Sequence, residues 1–233
     1  MPNFVEVLEI IDITPTVYLL RMNVIEPKNL DFKPGQFISF VLQKENKRIM
    51  KAYSIASPPS FKDYIETCIK IVPGGFVSNY LHGLKSGERL EFLGPSGIFT
   101  LKYPLEGDAV FAATGTGISA LRPMIHTIFE KGTDKHVWLF YGVRTEPELA
   151  YHEEFRVLAE TNENFHYVPV LSRPDRPWDG ETGHVQEPLQ KHITNAQGKD
   201  VYICGVLKMV EEVKALAEQM GFEKHKIHVE RYV

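Results

Sequence analysis

The sequence predicts a two-domain protein in which an antiparallel Greek-key β-barrel (residues 1–103) precedes a doubly wound, parallel α/β sheet (residues 104–233). Three observations lead to this prediction. A chain of 233 residues has room for two domains of roughly 100–130 residues each. Short apolar runs broken by Gly, Pro and Asn fill the chain up to about residue 100, whereas strand and helix patterns alternate from Asp108 onward. Residues 102–107, between these two patterns, are typical of a linker.

The first half contains six predicted strands and one predicted helix. The strands are expected at residues 4–13, 17–24, 36–43, 49–57, 64–72 and 89–93, and the helix near residues 75–83. In the fifth strand, the residues expected on the buried face alternate with Glu66, Cys68 and Lys70. This two-residue period is typical of a half-buried strand. Several short strands at this close spacing predict a small antiparallel barrel.

The second half alternates between strands and helices. Strands are expected at residues 109–113, 137–141, 167–171, 201–204 and 227–229, and helices at residues 119–131 and 207–220. A further helix is expected to open at Thr145, with Glu148 as its capping-box partner. Strands that alternate with helices predict a parallel sheet.

Composition and charge exclude several classes of function. The chain is 43% hydrophobic and 24% charged, as in ordinary globular proteins. No run reaches the ~18–20 apolar residues of a membrane span, and the first residues lack a secretory signal pattern, so a cytoplasmic protein is expected. The net charge of −4 without a long basic run argues against nucleic acid as a partner. Cys68 and Cys204 are too few for a zinc site or an iron–sulfur cluster, so no metal is expected and any redox carrier must be organic.

A glycine-rich loop between a predicted strand and helix is a candidate nucleotide site. Gly115, Gly117 and Ala120 satisfy the G-x-G-x-x-G/A spacing, in which glycines let the main chain approach a pyrophosphate at a helix start. Taken alone, the spacing fits a structural tight turn equally well. Arg144 stands near where an acidic residue is expected after the second strand, so an ordinary NAD-type Rossmann domain fits poorly.

The barrel half has a candidate anion site of its own. Gly74, Gly75 and Ser78 stand at the start of its predicted helix, where N–H groups and a hydroxyl can meet a phosphate. Upstream, Lys51 and Tyr53 are expected on one face of a strand, as a cation and a flat ring for stacking. The alternative is that Tyr53 is a core residue and Lys51 a solvated lysine at the sheet edge.

Together these segments resemble the ferredoxin–NADP reductase family over essentially the whole chain. The family's R-x-Y-S/T motif is similar to Lys51-Ala52-Tyr53-Ser54, and its S-x-x-L motif to Ser78-Asn79-Tyr80-Leu81. Its G-P-x-G turn is similar to Gly94-Pro95-Ser96-Gly97, and its G-T-G-I/L loop to Gly115-Thr116-Gly117-Ile118. Its C-G motif and its E-x-Y/F ending are similar to Cys204-Gly205 and Glu230-Arg231-Tyr232. Six motifs in the right order are far more specific than any one of them.

The resemblance implies an FAD site in the barrel half. Tyr53 would pack against the isoalloxazine ring, and Ser54 would form a hydrogen bond near flavin N5. The flavin phosphates would be held by the side chains of Lys51 and Ser78 and by the main chain of Gly75, Phe76 and Val77. Ala52 and Gly74 belong to the same two motifs and are included in the site. Lys51 replaces the arginine of the family and therefore lacks its planar, bidentate fork.

The resemblance also implies an NAD(P)H site in the second half. Thr116 and Gly117 would receive the phosphates of the nucleotide, and Cys204, followed by Gly205, would flank nicotinamide C4. Glu230 would sit beside Ser54 and Cys204 and tune proton access to N5. Tyr232 would cover the flavin face until nicotinamide displaces it, although Val233 follows it here. A free cysteine is also common as a small buried hydrophobe.

The choice between NADH and NADPH depends on three residues. Ser172 and Arg173 follow the predicted strand 167–171, where family members bind the adenosine ribose, so Arg173 could meet a 2′-phosphate, helped by Arg144. NADPH is therefore preferred, but similar Ser-Arg pairs occur in NADH-using oxygenase reductases of the family, and either arginine could simply be a surface residue.

The implied function is that of an FAD-dependent reductase, which takes a hydride from NAD(P)H onto flavin N5 and passes electrons singly to a separate carrier. No iron–sulfur domain is fused to the chain, so a ferredoxin, a flavodoxin or an oxygenase component is the expected partner. Two alternatives stay open. One is a free-flavin or ferric reductase, which would bind flavin loosely. The other is a non-autonomous electron-transfer subunit of a larger complex.

Overall fold

The computed structural model describes residues 3–232, which divide into two compact units. The first unit comprises the chain up to Leu101 together with Arg122–Thr127, and the second comprises Lys102–Leu121 and the chain from Ile128 on. A short stretch of a helix in the second half of the sequence thus belongs to the first unit, which the sequence did not predict. Within residues 3–232 no helix has the length and apolar character needed to cross a membrane.

The first unit is an antiparallel sheet of six strands with one short helix. The strands are β1 (Asn3–Thr14), β2 (Val17–Glu26), β3 (Phe37–Lys44), β4 (Lys47–Ser54), β5 (Ile65–Lys70) and β6 (Arg89–Ser96), and helix α1 (Phe76–His82) lies between β5 and β6 in the sequence. The spatial order β4-β3-β6-β1-β2-β5 puts β6 between β3 and β1, as a Greek key requires. A bridge from Ile55, just after β4, to Thr67 within β5 joins the two outer strands. The predicted barrel is therefore confirmed.

Strand β5 departs from the prediction of a half-buried strand. Glu66 and Cys68, on the face expected to meet solvent, are only 2% and 4% exposed. The physical reason is that Glu66 has cationic partners that allow its carboxylate to be buried, since Arg21 and Arg122 both donate to it. Alternation of residue types in a sequence cannot show whether the second face of a strand is covered.

The second unit is a parallel sheet of six strands flanked by helices. Its strands are β7 (Ala109–Thr114), β8 (Val137–Val143), β9 (Phe165–Leu171), β10 (Glu181–Thr182), β11 (Asp200–Val206) and β12 (Ile227–Tyr232). Its helices are α2 (Ile118–Lys131), α3 (His152–Thr161), α4 (Gln186–His192) and α5 (Leu207–Met220). The order β10-β9-β8-β7-β11-β12 reverses direction at β7, which confirms the doubly wound sheet. All its strands are parallel, so the loops that follow them meet at one edge.

The prediction that a helix opens at Thr145 is wrong. The chain forms a short 3-10 turn over Glu146–Glu148, becomes extended at Leu149, and enters α3 only at His152. Leu149 and Ala150 are buried here, and the Ala150 N–H donates to the Tyr141 hydroxyl, so the chain leaves the helical path to make these contacts. Strand β10 and helix α4 were not predicted from the sequence.

Candidate functional site

The end of strand β4 carries the side chains predicted to meet the flavin. Lys51 is exposed, Tyr53 half-buried and Ser54 buried. Because side chains alternate along a strand, Lys51 and Tyr53 share a face, and Ala52 points to the other one. The Tyr53 ring packs against Phe40 with 5.8 Å between ring centroids. Burial raises the pKa of Tyr53 to about 12, so the residue stays neutral and offers a fixed, uncharged ring on this face.

The glycine turn before α1 is open on one side. Gly74 has a φ of +72°, and no other heavy atom lies within 4 Å of the position that a Cβ would take. Gly75 precedes the first helical residues, Phe76 and Val77, and no side chain caps this helix start. The turn thus combines a left-handed backbone, open space and uncapped N–H groups, as an anion would require.

Side chains of α1 hold this turn in place. The Ser78 hydroxyl, which is 5% exposed, accepts a hydrogen bond of 3.0 Å from the Val72 N–H. Asn79 donates its side-chain amide to the carbonyl oxygens of Val72 (2.8 Å) and Gly75 (2.5 Å). The oxygen of Ser78 is therefore used in fixing the turn, and its hydroxyl hydrogen remains the group that could reach a phosphate.

The sequence analysis missed a cation beside this turn. The Lys44 ammonium at the end of β3 lies 5.1 Å from the centre of the Phe76 ring. Lys44 is exposed and more than thirty positions from Phe76 in the sequence, so no local motif joins the two. Only the folded barrel places this charge next to the glycine turn.

The glycine turn before α2 is shaped by a neighbouring strand. Gly115–Gly117 form a 3-10 turn, in which Gly115 has a φ of +53° and faces open space. A Cβ on Gly117 would overlap the carbonyl group of Cys204 at the end of β11, so only glycine fits there. Thr116, between the two glycines, is half-buried, and its carbonyl oxygen accepts a 2.7 Å hydrogen bond from the Ser119 hydroxyl.

Cys204, Gly205, Glu230 and Tyr232 converge beside this turn. Strands β11 and β12 pair Cys204 with Glu230 and Val206 with Tyr232. The Tyr232 and Ser119 hydroxyls are hydrogen-bonded at 3.1 Å, which ties the end of β12 to the start of α2. Ser119 was not predicted as a site residue, because a serine after a glycine loop has no distinguishing signal.

The thiol of Cys204 is fully buried and kept protonated. Burial, followed by the negative charge of Glu230, raises its pKa well above the usual value, and a hydrogen bond with Tyr232 opposes this in part. The thiol is therefore expected to be neutral and a poor nucleophile at neutral pH.

Arg144, Ser172 and Arg173 lie side by side at the ends of β8 and β9. The Arg173 N–H donates to the Arg144 carbonyl oxygen at 2.8 Å, and the Ser172 N–H donates to the Val143 carbonyl oxygen at 3.0 Å. Both arginines are exposed, and within residues 3–232 neither forms an ion pair. Two available guanidinium groups therefore stand at the edge of the sheet where ligands of such folds bind.

Two family models match the chain, one in each half. The oxidoreductase FAD-binding domain matches residues 5–101, and the oxidoreductase NAD-binding domain matches residues 111–215. Together they cover both glycine turns and strand β4.

Two relatives match this chain over nearly its whole length. The chain is 34% identical to ferredoxin–NADP reductase B of Sorangium cellulosum, over 94% of this chain and 93% of that protein. It is 33% identical to the phenol hydroxylase P5 protein of Acinetobacter pittii, over 97% of this chain and 64% of that protein. The chain thus spans less than two thirds of the length of this second relative.

A solved structure shows the same architecture. The cytochrome P450 reductase GcoB of Amycolatopsis superposes with a TM-score of 0.90 at 28% identity, covering 99% of this chain and 69% of that one. The two matched domains, the near full-length relative and this fold agree with one another. The chain therefore belongs to the ferredoxin–NADP reductase family and is an FAD-dependent NAD(P)H reductase that passes electrons to a separate acceptor.

Proposed function

We propose that this protein carries electrons from NAD(P)H, by way of FAD N5, one at a time to a small redox protein. When bound, FAD supplies the chemistry that accepts a hydride and releases single electrons. The observation that carries the proposal is the near full-length match to a ferredoxin–NADP reductase. A division into an FAD domain at residues 1–103 and an NAD(P) domain at residues 104–233 is part of the proposal and is supported by the ranges of the matched domains.

The FAD site is proposed at the end of β4 and the turn before α1. Tyr53 offers a neutral, half-buried ring for stacking, and the buried Ser54 follows it as a hydrogen-bond donor near N5. The phosphates are assigned to Lys51, to the Ser78 hydroxyl hydrogen, and to the main chain around Gly75. The fit is supported by the open space at Gly74 and by the additional cation Lys44.

The nicotinamide nucleotide is proposed to bind at the turn before α2. Gly115 leaves open space for a phosphate, and the N–H groups of Thr116 and Gly117 stand at the start of a fourteen-residue helix. Cys204 would flank the nicotinamide ring with an uncharged thiol once Tyr232, its hydrogen-bond partner, has moved, and the adjacent Glu230 is assigned the tuning of proton access to N5. Tyr232 would act as the aromatic cover that leaves when nicotinamide enters.

NADPH is the proposed donor. Arg173 and Arg144 lie together at the sheet edge without ion-pair partners among the described residues, so a 2′-phosphate would find two cations there. Ser172 adds a hydroxyl next to them. NADH carries no charge at this position and would gain nothing from the pair.

The proposed acceptor is a ferredoxin, a flavodoxin or an oxygenase component. One relative is a ferredoxin–NADP reductase, another is the reductase component of a phenol 2-monooxygenase, and a third is the electron transfer component of an anthranilate 1,2-dioxygenase. These relatives support a separate protein as the acceptor rather than the loose flavin binding of a free-flavin reductase. A cytoplasmic location stays a prediction of the sequence.

Anaerobic stopped-flow spectroscopy tests the proposal. NADPH should bleach the visible absorbance of the bound flavin, and mixing with an oxidised ferredoxin should restore it. Arg173→Ala should weaken NADPH binding about tenfold, as expected for one charge-assisted hydrogen bond, and leave NADH binding unchanged. Equal loss for both donors would contradict the role of Arg173, and a flavin that neither donor bleaches would contradict the function itself.

A further inference from the structure

Glu66 on strand β5 is a buried acid that neither candidate site uses. Its side chain is 2% exposed, and both carboxylate oxygens accept hydrogen bonds from guanidinium groups. Oε2 accepts from Arg122 Nη1 at 3.0 Å, and Oε1 accepts from Arg21 Nε at 2.9 Å. Because both oxygens are paired, the carboxylate can remain charged in the interior.

The Arg122 guanidinium also binds the main chain. Its Nη1 donates to the Ala56 carbonyl oxygen at 2.9 Å, in addition to Glu66. Arg122 is 7% exposed and lies in the stretch of α2, Arg122–Thr127, that belongs to the first unit. One buried cation thus holds both a carboxylate and a peptide group of the barrel.

The main chain of Glu66 holds the same segment from the other side. The Ala56 N–H donates to the Glu66 carbonyl oxygen at 2.7 Å, and the Glu66 N–H donates to the Ser57 hydroxyl at 3.0 Å. Ala56 is therefore fixed at its N–H and at its carbonyl group, and Ser57 at its side chain. This segment directly follows Tyr53 and Ser54.

The network extends outward through Arg21. At its outer end Arg21 also donates to the exposed Glu9 at 3.0 Å, so two acids face two arginines. A buried ion pair of this kind adds little net stability compared with an apolar pair of similar volume, because desolvation opposes the attraction. Its hydrogen bonds are nevertheless directional, and they end on the segment that follows Tyr53 and Ser54.

We propose that Glu66 and Arg122 are positioning residues, which hold residues 55–57 and thereby set the Tyr53 ring and the Ser54 hydroxyl for contact with the flavin. The inference rests on the proposed FAD site on β4. It adds two residues outside the family motifs and assigns them an effect on how the cofactor is held.

The decisive variant replaces both partners, Glu66→Leu with Arg122→Met. Since the two buried charges are removed together and Arg21 keeps its ion pair with Glu9, the thermal unfolding midpoint should stay near that of the parent. FAD should dissociate about tenfold more readily, because a charge-assisted bond that fixes the Ala56 carbonyl group is lost. The visible circular dichroism of the bound flavin, which reports ring orientation, should change as well.

Two single variants complete the test. Arg122→Lys keeps the charge but has no planar fork with which to hold Glu66 and Ala56 together, so FAD affinity should fall between the parent and the double variant. Glu9→Gln is the matched control, because it removes only the exposed ion pair between Arg21 and Glu9. It should leave FAD affinity and flavin dichroism unchanged.

The outcomes separate this inference from the proposed function. A parent that binds FAD, together with a folded double variant of equal FAD affinity and equal flavin dichroism, would overturn the positioning role alone. If the double variant does not fold, Arg122→Lys decides, and parent-like affinity and dichroism in that variant would overturn the role. A parent that binds no FAD would overturn the proposed FAD site and this inference together.

Discussion

The turn before α1 and the turn before α2 both place glycines at a helix start, yet different contacts fix them. In the first turn a Cβ added to Gly74 would meet nothing within 4 Å, and the turn is held because Ser78 accepts a hydrogen bond from the main chain and Asn79 donates to it. In the second turn Gly117 lies so close to the main chain of Cys204 that no Cβ fits. The first turn is held by hydrogen bonds and the second by packing.

This difference explains why the two turns need glycine for different reasons. Gly74 and Gly115 supply left-handed backbone, which other residues adopt only at a cost of ~1–2 kcal/mol. Gly117 has an ordinary helical backbone, with a φ of −59°, and is needed only for the close approach of β11. That approach is also what brings Cys204 to the turn, so the packing in the second unit builds the candidate site directly.

The largest effect is expected from Gly117→Ala, which tests whether packing fixes the second turn. The added methyl group overlaps the Cys204 carbonyl, so strand β11 or the turn must shift, and we expect a loss of about 2–3 kcal/mol in the free energy of unfolding. Nucleotide binding should fall with it. Urea unfolding and titration with NADP+ measure the two effects.

Gly115→Ala in the same turn is the matched control. Its methyl group would meet open space, so only the left-handed backbone is penalised, by about 1 kcal/mol. Equal losses for the two variants would show that packing against Cys204 does not fix the turn.

In the first turn, the free energy of unfolding is expected to depend mainly on the side chain of Ser78. Ser78→Ala leaves the Val72 N–H without its acceptor and should cost about 1–2 kcal/mol in the free energy of unfolding. FAD affinity should fall as well, because the turn loosens and the hydroxyl is lost. Gly74→Ala should cost no more than the left-handed penalty, so a larger effect from Gly74→Ala than from Ser78→Ala would reverse the comparison.

A smaller effect is expected from the end of β12. Tyr232→Ser should strengthen the binding of oxidised NADP+ severalfold, by removing the ring that the nicotinamide must displace. Tyr232→Phe retains that ring and loses only the hydrogen bonds of its hydroxyl, among them those with Ser119 and the Cys204 thiol, so it should bind like the parent. Identical nucleotide affinity in all three proteins, measured by difference spectroscopy, would remove Tyr232 from the site.

The smallest effect concerns how the reactivity of the Cys204 thiol depends on pH. Because burial and the charge of Glu230 raise the pKa of Cys204, its thiol should stay protonated at pH 8 and react slowly with iodoacetamide. Its alkylation rate should keep rising above the pH at which an ordinary thiol, with a pKa of about 8.5, has levelled off. Peptide mapping distinguishes Cys204 from Cys68, and the guanidinium-unfolded protein is the control. Ordinary reactivity of folded Cys204 at pH 8 would contradict the described burial.

The sequence predicted the features that depend on local patterns. Apolar periodicity placed almost every strand, and the change of pattern at Asp108 separated an antiparallel from a parallel sheet. The glycine spacing identified the turn before α2, because Gly117 is required by a contact that tolerates no side chain. Such steric requirements leave a clear signal in a sequence.

Features that depend on distant partners left no such signal. The burial of Glu66 follows from Arg122, which is 56 positions away, so alternation alone suggested a solvated face. Lys44 reaches Phe76 only in the folded barrel. The capping pattern at Thr145 was locally sound, yet burial of Leu149 and Ala150 prevented a helix there.

The central claim, that the first unit holds the flavin against Tyr53, is tested most directly by titrating FAD into the deflavinated protein. The parent should bind FAD stoichiometrically, and Tyr53→Ala should bind it at least about tenfold more weakly, because stacking and buried ring area are lost. Tyr64→Ala, which removes a different half-buried ring of the same unit, should bind like the parent. Equal FAD affinity in the parent and Tyr53→Ala, or no binding by the parent, would contradict the claim.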